Sequence, residues 1–335
     1  MSLRKDRPTS IVIVSPALAD ANNGNWQTAR RWQRLLAPHR ARIVREWPDD
    51  EADRDQLMLA LHARRSAAAI AAWHRARGSQ GLGLLLTGTD LYRDLPAGDP
   101  DAHRSLSLAG SIAVLQPLAL RSVPLPERDR TRVIMASCRA RRAIAKTSRH
   151  LRVLMVGHLR DEKDPLTLMA AAGALAHSEG ILIDHIGAAL DPALGEAAQR
   201  TASQYPHYRW LGALPHPRAL ERIQRAHLLV HASRMEGGAH AVMEAICCGT
   251  PVICSAIEGN LGLLGEDYPG RFEIGDAGGL AALLRRCRAE QLSGQPGLLA
   301  DLERRCRLLR AQFEPAAERN ALQRWVADLL QAGNS

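Results

Sequence analysis

The chain has 335 residues, 46% of them hydrophobic but only 4% aromatic, and carries a net charge of +9. That length allows two ordinary domains or one large one, with a core built mostly from Leu, Ala, Val and Ile. Lysine occurs only at Lys5, Lys146 and Lys163, so the positive charge is almost all arginine, and no dense basic run interleaved with aromatics marks a nucleic-acid-binding protein.

In chain order, "IVIV" (11–14) predicts a strand. Pro16 interrupts the apolar run too early for a secretory leader. A polar loop and a helix over about 25–38 follow, then "ARIVREW" (41–47) and "LMLALHA" (57–63) as strands and "SAAAIAAWHRAR" (66–77) as a helix. "LGLLLTG" (82–88), "SIAVLQ" (111–116) and "RVIMAS" (132–137) complete a first half. The pattern restarts with "LRVLMVG" (151–157), a helix over 165–176, "ILIDHIG" (181–187), a helix over 192–204, "YRWLG" (208–212), a helix over 217–225 and "HLLVHAS" (227–233). A helix from about 239, "PVICSA" (251–256) and an amphipathic helix over 318–332 end the series. Short apolar runs alternating with helices predict an α/β fold with parallel sheets covered on both faces. The expected organisation is two Rossmann-like doubly wound domains facing across a cleft, over 1–147 and 148–312, with a helical segment over 313–335. Ligands of such folds bind beyond the carboxyl ends of the strands, at helix N-termini.

The six cysteines, Cys138, Cys247, Cys248, Cys254, Cys287 and Cys306, form no Cys-x-x-Cys pair. They read as reduced thiols of a cytoplasmic protein rather than as zinc ligands. No apolar run reaches membrane-spanning length, and no membrane partner is expected.

Two stretches carry chemistry. "EGGAHAVMEAICCGTPV" (236–252) follows a predicted strand. Gly237 and Gly238 allow close backbone approach to a ligand, and a helix starting near Ala239 and His240 presents unpaired N–H groups. Gly249 and Pro251 stop it. Glu236 then lies at the helix mouth, with Glu244 further along the helix; the same spacing also fits a solvated surface glutamate. "VGHLRDEKDP" (156–165) follows the strand that opens the second half. Gly157 permits a tight turn there, and His158, Arg160 and Lys163 can converge on an anion, although an exposed charged loop fits equally. No Gly-x-Gly-x-x-Gly or Gly-Lys-Ser/Thr loop occurs at this strand, which disfavours a dinucleotide oxidoreductase or a P-loop ATPase.

In this order and separation, "GHLRDEK" and the Glu-x7-Glu stretch resemble the donor-binding half of the retaining-type GT-B glycosyltransferases. The resemblance implies that Lys163 holds the nucleotide diphosphate, Glu236 and the N–H groups after it meet the donor sugar, and Glu244 binds the ribose. His158 stands where the family usually has Arg, so its charge is expected to be partial and pH-dependent. "CSAIEGNLGLLG" (254–265) resembles the family's next loop, which implies that backbone N–H groups of Glu258, Gly259 and Asn260 face the donor. In the first half, "NNGNWQ" (22–27) resembles a donor-side loop with Gly24 and Asn25. "LTGTDLYRDL" (86–95) resembles a His-Gly-Thr-Asp-Leu segment in which Thr87 replaces the His and Asp90 is the strongest polar candidate.

Together with "LHARRS" (61–66), these segments are similar to the selenosugar synthases of selenoneine biosynthesis. The resemblance implies transfer from a UDP-sugar, UDP-GlcNAc or UDP-glucose, to selenophosphate, with loss of UDP and phosphate. His62, Arg64, Arg65 and Ser66 lie at a strand-to-helix junction, where Ser66 can cap the helix and the arginines can bind a phosphate-like acceptor. The arginines also fit the general Arg surplus. Selenophosphate is already anionic, so no strong general base is required, and leaving-group stabilisation falls to Lys163, His158 and the helix end. No metal or other cofactor is expected. Two other functions fit the same residues: transfer to an ordinary hydroxyl acceptor, and non-catalytic binding of a nucleotide sugar or nucleic acid.

Overall fold

Short apolar runs build two six-stranded sheets, parallel throughout, in the computed structural model, which describes residues 8–18 and 24–331. The first holds β1 (Ser10–Val14), β2 (Arg40–Val44), β3 (Leu57–Leu61), β4 (Leu82–Leu85), β5 (Ser111–Val114) and β6 (Thr131–Val133), in the order β2-β1-β3-β4-β5-β6. Its helices are α1 (Gly24–Leu35), α2 (Ala67–Arg77), α3 (Pro100–Leu108) and α4 (Leu125–Arg128). The second sheet holds β7 (Leu151–Val156), β8 (Ile181–Ile186), β9 (Tyr208–Trp210), β10 (Leu228–His231), β11 (Val252–Ser255) and β12 (Arg271–Phe272), in the order β12-β11-β10-β7-β8-β9. Around it lie α5 (Pro165–Ala174), α6 (Pro192–Gln204), α7 (His216–Arg225), α8 (His240–Cys248), α9 (Glu258–Leu264), α10 (Ala277–Ser293) and α11 (Leu298–Leu309). The last helix is α12 (Pro315–Gln331). No helix among the described residues is long and apolar enough to cross a membrane.

The chain divides into two units, 138–314 and a first unit made of 1–137 with 315–335. The division falls ten residues before the boundary expected at 147/148, and most of the segment 313–335 groups with the first unit rather than standing apart.

In the first unit the two-residue period of a strand decides which side chain faces which helix layer. Ile11 and Ile13 pack with Leu57, Leu59 and Leu61 on one side, and Val12 and Val14 with Met58 and Ala60 on the other. Both faces are buried, which is why these strands read as unbroken apolar runs. α12 covers the first of these layers, with Trp325 edge-on to Trp32 at 5.7 Å between ring centres. Gly83 in β4 makes room for it, since a Cβ there would lie 2.7 Å from Trp325 Cζ2.

A buried carboxylate ties α12 in place. Glu318 accepts from Arg31 Nε at 2.7 Å, from Trp32 Nε1 at 2.9 Å and from the Ser137 N–H at 2.8 Å. Glu318→Ala leaves a largely buried guanidinium, an indole N–H and a backbone N–H without their acceptor. The expected cost is about 3 kcal/mol of stability, read as a lower melting temperature and lower urea midpoint, with Glu318→Gln losing less.

Candidate functional site

In the second sheet, β7 and β10 are neighbours whose connections leave in opposite directions, β7 toward β8 and β10 toward β11. At such a switch point the loops beyond the carboxyl ends diverge and leave a crevice between them. The loop after β7 supplies Gly157, His158 and Lys163, and the loop after β10 supplies Ser233, Arg234 and Glu236.

The β7 loop is held from below. Its Gly157 carbonyl lies 3.3 Å from His185 Nε2, and His185 Nδ1 lies 3.0 Å from the Tyr208 hydroxyl. Burial pulls His185 down to about 4, so the ring is neutral and donates from Nε2. Gly187 has no room for a side chain, because a Cβ would fall 1.9 Å from the Gly157 oxygen. The chain then makes a 3-10 turn at Asp161–Lys163 and enters α5 through Asp164, whose φ of +45° is rare for a residue other than glycine. Asp164 is buried and accepts from Thr167 Oγ1 at 2.7 Å and from Arg234 at 3.3 Å.

Three contacts join the two loops. The Arg234 N–H donates to the Glu162 carbonyl at 3.0 Å, the Arg234 guanidinium pairs with Asp164, and Lys163 Nζ pairs with Glu236 Oε1. The same Glu236 oxygen accepts from Ser233 Oγ at 2.8 Å, and His231 Nε2 lies 3.6 Å away. Burial alone would push the Glu236 carboxyl up; the Lys163 charge, His231 and the two hydrogen bonds outweigh it and hold it down at about 2. His231 is pulled down to about 4 by burial, so it stands beside the ion pair as a neutral ring. Gly259 presses on the Glu236 backbone from α9: a Cβ there would lie 2.1 Å from the Glu236 main-chain carbonyl oxygen.

α8 begins next to these loops, with Ala239 as N-cap residue, no side-chain cap and no acidic residue in its first turn. It stops at Gly249, whose φ is +72°. Gly237, Gly238, Ala239 and His240 therefore lead into the N-terminal end of a helix that has no side-chain cap, with the Val242 and Met243 N–H groups donating to the Ala239 carbonyl. Glu244, in the second turn, pairs with His216 at 2.7 Å.

Several sequence expectations are corrected here. His158 accepts from the Ala188 N–H at Nδ1, 3.0 Å, and burial together with Arg160 and Lys163 lowers its pKa. It is a neutral N–H donor, not a partial replacement for arginine charge. Asn260 is fully buried, donates to Ser255, and spends its N–H on the Ile257 carbonyl. It supports the loop instead of facing a ligand. Glu258 and Gly259 open α9.

In the first unit, Asp90 is fully buried in a π-helical turn, Asp90–Asp94. It accepts from the Ala63 N–H at 2.8 Å and from the N–H and hydroxyl of Thr87, both at 2.8 Å. It clamps the loop after β3 to the loop after β4, and its oxygens are not left for an acceptor. His62 has a φ of +74°, lies 2.9 Å from Thr89 Oγ1, and is kept neutral mainly by burial. Ser66 does not cap α2; its hydroxyl donates to the Leu61 carbonyl at 2.7 Å. Arg64 faces Asp94 at 3.5 Å and Asp99 at 3.2 Å, which compensate its charge, while Arg65 is exposed. Gly24 and Asn25 open α1, and 22–23 of the loop expected before them lie outside the described residues. Among the described residues, no group of three or more His, Cys, Asp or Glu side chains is placed to hold a metal ion.

Ser233, His231, Asp164, Arg234 and His216 were not singled out from sequence. The one available signal was position: Ser233 and His231 end or follow a strand at the carboxyl edge, and Asp164 precedes Pro165 at a helix start.

Residues 139–287, which include Lys163, Glu236 and Glu244, match the family described as glycosyl transferases group 1. A comparison with curated proteins gave no match. Among solved structures the chain is similar to sucrose-phosphate synthase from Thermosynechococcus elongatus, with a TM-score of 0.78, 18% identity, and 97% of this chain and 100% of that one covered. It is also similar to Anabaena HepE in complex with UDP-glucose, with a TM-score of 0.75, 12% identity, and 96% and 100% covered. Staphylococcus aureus TarM in a complex containing UDP matches with a TM-score of 0.62 and 12% identity over 82% of this chain, which spans 55% of TarM's length. The two doubly wound parallel sheets are those of the GT-B fold.

The lowered Glu236 pKa has a measurable consequence. A carboxyl depressed in the folded state adds stability that is present above its unfolded value, about 4.3, and is lost as pH falls through that value toward about 2. The melting-temperature gap between wild type and Glu236→Gln should therefore shrink from about pH 6 to about pH 3. A gap constant over that range contradicts the assignment.

Proposed function

We propose that this chain is a UDP-sugar-dependent glycosyltransferase and, more narrowly, a selenosugar synthase using UDP-GlcNAc or UDP-glucose and selenophosphate. The observation that carries the donor half is the Lys163–Glu236 ion pair at the β7–β10 switch point, beside the uncapped start of α8. The diphosphate takes the helix end and Lys163, the sugar hydroxyls take Glu236, and the ribose takes Glu244. The match over 139–287 supports transfer chemistry, and HepE, solved with UDP-glucose, supports the choice of donor.

In the reaction, selenium of selenophosphate attacks the anomeric carbon, a C1–Se bond forms, and the C1–O bond breaks with its electron pair leaving on UDP. Water then cleaves Se–P to give phosphate and the selenosugar. Lys163 and the α8 N–H groups stabilise the charge that grows on the leaving diphosphate. His158 adds a neutral N–H donor. The acceptor assignment to the His62–Ser66 turn rests on the joint wording of the sequence motifs and on exposed Arg65. Compensation of Arg64 by Asp94 and Asp99 favours a second reading, transfer to a neutral hydroxyl acceptor.

The deciding experiment incubates the protein with selenophosphate and several UDP-sugars and identifies products by mass. A selenium-bearing sugar is expected; turnover only with a hydroxyl acceptor would leave the second reading, and no donor turnover with any acceptor would remove both. Lys163→Ala should lower kcat by an amount worth about 2–4 kcal/mol in the barrier, with a smaller loss of donor binding. Unchanged turnover at saturating donor removes Lys163 from the mechanism.

A further inference from the structure

Glu244 is not alone on its helix face. His216, the first residue of α7, places Nε2 at 2.7 Å from Glu244 Oε1. Its backbone lies between Pro215 and Pro217, whose rings fix φ near −65° and stiffen the turn that presents it. The side chain of Glu244 is 14% exposed and that of His216 is 47% exposed, so the pair stands at the surface with the carboxylate on the inner side. Arg141 bridges the same two helices, its N–H on the Cys247 carbonyl of α8 at 2.9 Å and its guanidinium 3.4 Å from Gln224 of α7.

Resting on the reading of Glu244 as the ribose acceptor, we propose that His216 is a positioning residue for the nucleotide, holding one oxygen of Glu244 so that the other is set for the ribose hydroxyls. A carboxylate has two oxygens and about four lone-pair sites, so one occupied oxygen leaves capacity for a diol. Fixing its plane in advance removes ordering that the ligand would otherwise have to impose. Protonated His216 also offsets the Glu244 charge, which matters beside an anionic diphosphate.

The groups facing His216 are Glu244 on α8 and Cys138 and Arg141 on the segment that opens the unit. The hydrogen bond to Glu244 raises its pKa above the ordinary value, against burial and Arg141. Stability from the pair is thus full below about 6.5 and is lost as pH rises through the raised folded value. UDP affinity should fall over the same rise.

The test is calorimetry with UDP and with 2′,3′-dideoxyuridine 5′-diphosphate on wild type, His216→Ala and His216→Gln across that pH range. His216→Ala should weaken UDP binding by about 3- to 10-fold, the span of one ordinary hydrogen bond, and leave the dideoxy ligand unchanged. His216→Gln, which keeps a donor but cannot titrate, should bind UDP with a flat pH profile. Equal losses for both ligands, unchanged UDP affinity in His216→Ala, or a pH-dependent fall retained in His216→Gln overturns the proposal. Thermal melts identify a misfolded Ala variant, in which case the Gln profile decides. Wild type that binds no UDP overturns the nucleotide reading itself, whereas wild type that binds both ligands equally overturns only the ribose role of Glu244 and of His216 with it.

Discussion

Lys163 and Glu236 lie 73 residues apart in sequence and form one ion pair. Their meeting depends on β7 and β10 being hydrogen-bonded neighbours whose connections diverge, so that two unrelated loops end at the same place. Everything else around the pair serves to keep those loops in register. The Arg234 N–H on Glu162 and the Arg234–Asp164 pair act as stitches between them. The left-handed backbone at Asp164 costs on the order of 1 kcal/mol, and the hydrogen bonds from Thr167 and Arg234 offset it.

The chain's large positive charge does not become a bare basic patch at this place. Arg160 is near Glu162 at 3.8 Å, Lys163 is paired with Glu236, and Arg234 with Asp164. The start of α8 differs from these side chains, because its field comes from backbone N–H groups and no acidic residue in the first turn opposes it. The histidines divide in the same way. Burial keeps His62, His158, His185 and His231 neutral as fixed hydrogen-bonding rings, while His216 beside Glu244 favours its proton. An anion arriving at these loops therefore meets directional N–H donors and exchangeable ion-pair partners.

Much of this was legible in the residues. The helix expected over 192–204 is α6 over the same span, and the expected strands over 57–63 and 181–187 shorten to β3 and β8. The strands end before their apolar runs do because buried apolar residues continue into the loops, as at Ala63 and Leu86, after the ladder has ended. α3, α10 and α11 are not among the elements that the apolar runs predict; α10 opens with Gly278 and Gly279 in its first turn and mixes Arg into its length, which blurs its period. The spacing of Lys163, Glu236 and Glu244 could be seen because each sits at a fixed offset from a strand or helix end. Side-chain direction could not. Asp90 and Asn260 look like ligand-facing polar residues in a string of letters, yet both turn inward to hold backbone and neighbouring side chains. Ser233 and His216 acquire their meaning only from partners brought close by folding.

The path of the chain through its two units also sets an order of events during synthesis. The first unit leaves the ribosome as residues up to 137, but the face of its sheet carrying Leu57 and Leu59, against which Trp32 of α1 packs, is closed by α12, which begins at Pro315. All of 138–314 is made in between. A nascent chain therefore carries an open apolar layer, and Arg31 without its buried carboxylate, for the whole time that the second unit is being made. The second unit has its own sheet and helices and can close first, so the earlier-made unit is the one that waits, and the one exposed to wrong partners while it does.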